Sequence, residues 1–204
     1  MMSCSSVPRT LLVLEVLVII LLGCSHSAST RYFDLGTLPE RGVPERRDAC
    51  DSIGIGPVKI PEYLDRSGIV TRLTSHELMV AEFNKWAEPL EENLPRVLAE
   101  NLSSLLCTKT VLIFPWKGSI PLDYRIYVDV IRMDGKLGES AVLDVSWTIM
   151  GGAEKKGVLV MERSSYKEPA GGPDHGDYVA AQSRNVAALS RDIANAIGSL
   201  SKAK

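Results

Sequence analysis

The sequence predicts an α+β fold, with an antiparallel sheet and two main helices packed on one of its faces. Three observations lead there. Pro89–Leu106 and Asp177–Lys202 each repeat apolar residues every three or four positions, as a helix with one buried stripe does. Tyr124–Arg132 and Ala141–Met150 alternate apolar and polar residues, the mark of strands with one covered face. The order is strands, helix, strands, helix, which builds helices onto one side of an antiparallel sheet.

Taken in order, Tyr32–Leu35 reads as a first short strand, and Gly36–Asp51 as a loop rich in proline, glycine and charge. Ser52–Ile60 alternates, with a break or bulge expected at Gly56-Pro57. Pro61–Gly68 is a turn, and Ile69–Leu73 with Glu77–Phe83 forms a hairpin. In the first helix, Pro89 suits the first helical position and Glu91 and Glu92 suit the positive end of the dipole. Pro95 either kinks this helix or marks its regular start. Val111–Trp116 is a further strand. The meander that follows has turns at Met133–Lys136, where Asp-Gly favours positive φ, and at Gly151–Lys155. Its last strand is Lys156–Tyr166. Glu168–Gly176 is a loop, in which Asp174 or Asp177 caps the last helix.

The N-terminus departs from this pattern. Leu11–Leu22 is apolar apart from Glu15, follows Arg9 and precedes small residues, which is the layout of a secretory signal. A helix of that length spans about 18 Å, short of the roughly 30 Å needed to cross a bilayer. Leu21-Leu22-Gly23-Cys24 resembles the bacterial lipobox, where the cysteine takes a diacylglycerol and an N-acyl chain such as palmitate. The other reading is an ordinary cut near Ala28. The expected organisation is a signal peptide at 1–23, a lipidated tether at 24–31 and a single domain at 32–204. Ser25 after the cysteine resembles the outer-membrane sorting pattern.

Composition and motifs exclude several classes. A formal net charge of −2 leaves no basic excess for nucleic acid or anionic headgroups. No G-x-S-x-G elbow is present, and His76-Glu77 lacks the second histidine of a zinc protease motif. No metal or dissociable cofactor is expected. Gly54-Ile55-Gly56-Pro57 lacks the third glycine of a dinucleotide loop. Cys50 and Cys107 would face an oxidising compartment, either bridged or as two buried thiols. Trp86 either packs in the core or anchors a partner from an exposed loop.

Several strings stand together in one order: Tyr32-Phe33-Asp34-Leu35, Pro57-Val58-Lys59-Ile60-Pro61-Glu62-Tyr63-Leu64-Asp65-Arg66, Trp86-Ala87-Glu88-Pro89-Leu90 and Leu189-Ser190-Arg191-Asp192-Ile193-Ala194. They resemble the PqiC (YmbA) family, the ABC-type transport auxiliary lipoprotein component, from about Tyr32 to Leu200. The resemblance implies a docking part without catalysis, anchored through Cys24 on the periplasmic side of the outer membrane. It implies an MCE-domain partner in an intermembrane lipid transport system and a homo-oligomer, ring-shaped where the partner is a ring. Tyr63, Asp65, Arg66, Trp86 and Glu88 are the expected partner or oligomer surface. A lipid carrier with its own apolar cavity and an envelope hydrolase are the competing readings.

Overall fold

The computed structural model describes residues 29–39, 51–106, 108–116, 120–152 and 157–202. Among these residues, eight strands and two long helices follow one another as β1 (Arg31–Phe33), β2 (Asp51–Lys59), β3 (Gly68–Arg72), β4 (Leu78–Trp86), α1 (Leu90–Leu105), β5 (Thr108–Ile113), β6 (Tyr124–Lys136), β7 (Ser140–Gly151), β8 (Val158–Pro169) and α2 (His175–Lys202). One 3₁₀ turn, Glu62–Leu64, precedes β3. The α+β class is the one expected.

The strands form two sheets, ordered β5-β2-β6-β7-β8 and β1-β4-β3. The expected antiparallel meander is β6-β7-β8. The rest corrects the wholly antiparallel sheet: β2 runs parallel to both β5 and β6, and β1 runs parallel to β4. Parallel neighbours need a long crossover, which the β3–β4 hairpin and α1 supply between β2 and β5. Alternation along a strand reports its buried face and says nothing of its direction. The β2–β6 register shifts between Ile55 and Val58, where the break at Gly56-Pro57 was expected.

Both helices pack on the larger sheet and on each other. Strand β7 shows why: Ala141, Leu143, Val145, Trp147 and Ile149 are buried while their neighbours are half-exposed. From α1, Leu94, Val97, Leu98 and Leu102 enter this core, and from α2, Val186, Leu189, Ile193 and Ile197 do. Each such side chain contributes about 1.5–3 kcal/mol through lost apolar exposure. Helix α1 begins ahead of Pro95, since the Asn93 amide already donates to the Pro89 carbonyl at 2.9 Å. Pro89 thus stands just before the first helical residue, one position earlier than expected.

The turn expected at Met133–Lys136 is strand instead. Asp134 and Gly135 pair with Val142 and Ala141. A Cβ on Gly135 would lie 2.2 Å from the Ser140 carbonyl oxygen, so this glycine serves close strand approach rather than a bend. The chain turns later, at Gly138, whose φ of +74° suits glycine. The Asp174 carboxylate accepts from the Gly176 amide at 2.7 Å and so caps α2, as one of the two readings had it.

Candidate functional site

The turn after β2 and the segment after β4, remote in sequence, lie side by side. The Trp86 amide donates to the Ser67 carbonyl at 2.7 Å, and the Ala87 amide donates to the Phe33 carbonyl at 2.8 Å. The structure therefore brings together the two loops expected at the docking surface and adds the end of β1. Their side chains do different things.

Asp65 and Arg66 are exposed. Tyr63 is half-buried, with its hydroxyl turned inward; it accepts from the Met133 amide at 3.2 Å and faces Asp134 Oδ2 at 3.4 Å. Burial raises the Tyr63 pKa, against the opposing effect of the Met133 N–H and with the Asp134 charge adding to the rise. Trp86 is only 6% exposed and belongs to the core. This corrects its placement on a docking surface: the strand buries it one residue before the loop opens, so its ring offers no face to a partner.

Glu88 is half-buried and committed to a network. Its Oε1 accepts from Arg96 Nη2 at 2.6 Å and Nε at 2.9 Å, and from Asn93 Nδ2 at 2.7 Å. Arg96 also binds Asp34, at 2.8 and 3.0 Å, and Glu100, at 3.3 Å. Asn93 reaches Asp34 as well. The Arg96 guanidinium, followed by the Asn93 amide, holds the Glu88 carboxyl below its usual range. One arginine thus ties the end of β1, the loop and the first turns of α1. Arg96→Ala should cost about 1–2 kcal/mol, after allowance for solvent screening of partly exposed groups. Urea unfolding at low and high salt checks this, and the loss should shrink as salt rises.

A second cluster lies behind Tyr63. Asp134 is 0% exposed and accepts from one edge of the Arg72 guanidinium, Nε at 2.9 Å and Nη2 at 2.6 Å, and from Arg132 Nε at 2.7 Å. Burial pushes this carboxyl up, and the hydrogen bonds of Arg72 and Arg132 outweigh it, so the net shift is downward. Sequence reading missed Asp134 because Asp-Gly is a turn signature.

Cys24, Cys50 and Cys107 lie outside the described residues. Among the described residues no group of three or more His, Cys, Asp or Glu is placed to hold a metal, and no helix is long and apolar enough to cross a membrane. An open groove of about 640 Å³ runs between 33–39 and α2, with Arg184 and Arg191 in its lining. Among the described residues it is open to solvent, without the enclosure of a chamber for an acyl chain.

The sequence model of the ABC-type transport auxiliary lipoprotein component matches residues 33–194. Two curated proteins described as intermembrane transport lipoprotein PqiC, from Escherichia coli K12 and Shigella flexneri, are each 25% identical over 130 residues, 63% of this chain and 68% of theirs. A crystal structure of an uncharacterized protein matches with TM-score 0.67 at 20% identity, over 83% of this chain and 99% of that one. Another, of a Xanthomonas campestris protein, matches with TM-score 0.66 at 15% identity, over 86% and 99%. These structures speak for the fold alone. The sequence match spans β1 to the middle of α2, both sheets included, and on that ground the chain belongs to the ABC-type transport auxiliary lipoprotein component family.

Proposed function

We propose that this chain is a lipid-anchored docking subunit of an intermembrane lipid transport system. Cys24 carries the diacylglycerol and N-acyl chains, the domain faces the periplasm from the outer membrane, and an MCE-domain protein of the inner-membrane complex docks on it as it forms a homo-oligomeric ring. The observation that carries this reading is the family match over 33–194, joined by the likeness to the PqiC lipoproteins. Two or three acyl chains, at about 0.8 kcal/mol per buried CH₂, hold a domain of this size stably at a bilayer. A docking role also suits a surface that presents exposed charges at Asp65 and Arg66 beside a loop held in place through Glu88.

The test uses the acylated full chain purified from membranes, with an MCE-domain protein as prey. Arg66→Glu together with Asp65→Lys should reduce capture by roughly tenfold or more if these residues stand at an interface centre. The melting temperature should stay within about 2 °C of wild type, since exposed substitutions shift stability by only about 0.5 kcal/mol. Undiminished capture by that variant counts against this surface, and no capture by wild type counts against the partner. Trp86 is unsuitable for the experiment, because removing a core ring would lower capture by unfolding the domain.

A further inference from the structure

The face of the larger sheet turned away from α1 and α2 carries no helix among the described residues. Residues paired across strands share a face, so the register defines its rows. One row is Tyr127, Thr148 and Met161. On one side of it lie Arg125, Met150 and Val158, and on the other Asp129, Ser146 and Arg163. The first two rows are largely apolar, and Val158 and Met161 are 55% and 68% exposed.

Aromatic rings continue this band toward β5. A Cβ on Gly54 would lie 2.8 Å from Trp116 Cε2, so the indole lies over β2. Its centroid is 6.4 Å from that of Tyr127 and 5.5 Å from that of Phe114, which is 49% exposed. Scattered exposed apolar residues are ordinary, whereas a contiguous band marks an interaction site.

Charge says what covers it. Arg125 stands over the Trp116 ring at 5.9 Å, and among the described residues neither Arg125 nor Asp129 has an ion partner. The two flank Tyr127 on one face with opposite charge. Consider two such faces opposed, with a two-fold axis between them that crosses the strands at the Tyr127 row. Arg125 of each copy then meets Asp129 of the other, and the apolar row meets itself. Arg163, on the edge strand, keeps its guanidinium in water at the rim. A bilayer would leave Asp129 without a cation beside the buried band, whereas a second copy supplies one to each.

We infer that this sheet face packs on the same face of a second copy, with the sheets about 10 Å apart. The Tyr127 row forms the apolar centre, and two Arg125–Asp129 pairs flank it. Such a contact is isologous and closes with two copies, so it goes beyond the ring proposed above. It uses neither the Cys24 anchor nor the MCE-domain partner, and its failure leaves both standing.

Cysteine cross-linking in membranes that carry the full chain tests it. Thr148→Cys stands on the axis, so a bis-maleimide about 10 Å long should join two copies. Lys167→Cys lies about 20 Å from the axis, in opposite directions on the two copies. It should give no dimer above the wild-type background from Cys50 and Cys107. Added to Thr148→Cys, Arg125→Glu or Asp129→Arg alone should cut the dimer yield roughly tenfold, because like charges then face each other. The two together should restore it to within about twofold of the Thr148→Cys yield. Melting temperatures within about 2 °C of wild type show that the variants are folded. Should Arg125→Glu unfold through loss of its Trp116 contact, Asp129→Arg, at an exposed position, carries the reading. No dimer from Thr148→Cys, undiminished yield in the folded single variants, or a folded double variant that stays low overturns the pairing. Thr148→Cys joined to a protein of another mass overturns it too, and assigns the face to a different partner.

Discussion

Asp134→Ala is expected to lower the unfolding free energy by about 3 kcal/mol, the lower end of what breaking a buried ion pair costs. The lower end applies because Arg72 and Arg132 are 25% and 36% exposed on their side chains and regain water when the carboxylate goes. In a domain of this size each kcal/mol moves the melting temperature by about 2–4 °C, so a fall of roughly 6–12 °C should appear in a thermal scan. The substitution also takes away the partner of the Tyr63 hydroxyl and disturbs the strand end that Gln182 holds through the Asp134 carbonyl at 3.3 Å. The pH dependence has a definite sign. A carboxyl held below its ordinary value of 3.8 stabilises the fold above that value, and the contribution is lost as pH falls through the lower folded value. Stability of wild type and Asp134→Asn should therefore converge in acid and separate toward neutrality. A difference that is constant from pH 2 to 7 would place the cause in packing rather than in charge.

Trp147→Ala should be the most damaging single change, at about 3–5 kcal/mol. The ring is 1% exposed at the centre of β7, the middle strand of the meander, between Val128 and Glu162 in register. Its Nε1 donates to Ser164 Oγ at 3.1 Å, and losing that bond adds about 1 kcal/mol. Trp147→Phe keeps most of the ring volume and leaves only the Ser164 hydroxyl and a smaller gap, so about 1–2 kcal/mol is expected. Urea unfolding followed by circular dichroism reads both variants without depending on the tryptophan signal. Equal losses for the two would mean that the hydrogen bond, and not the ring, holds β7 in place.

What the sequence reveals about this fold depends on how local the cause is. The alternation of Leu143, Val145, Trp147 and Ile149 and the stripe through Leu94, Val97, Leu98 and Leu102 are local signals, and both elements stand where periodicity places them. The pairing of β1 with β4 is not local. Arg31 meets Asn84 because the tertiary fold brings them together, and three residues of strand carry no signal of direction. Asp134 failed for a different reason: a turn-forming pair is overridden when two arginines from separate strands neutralise the acid and the glycine admits a close neighbour. At the candidate surface, the two loops stood out as strings, but their adjacency was not legible, since the Trp86 amide meets the Ser67 carbonyl only in the folded chain. Of the two readings of Trp86, core or partner anchor, the structure takes the core, and one residue at the end of a strand decides it. Arg125, Tyr127 and Asp129 read as ordinary strand residues, and only the pairing of strands shows what lies beside them.

The parallel placement of β2 also bears on the order in which the molecule is made. The Ser52 amide donates to Asp123 across 71 residues of chain, and among the described strands both neighbours of β2 run parallel to it. During synthesis β2 emerges well before either strand that flanks it, whereas β6, β7 and β8 close by successive hairpins. Distant pairing of this kind slows folding, because the loop must be closed before any contact rewards it. The meander should therefore form first and serve as the template on which β2, with its apolar Ile53 and Ile55, is the late-arriving strand. A nascent chain halted before residue 90 would carry those two isoleucines without α1, β5 or β6 to cover them, and this is the stage at which a holding chaperone has a binding segment to grip.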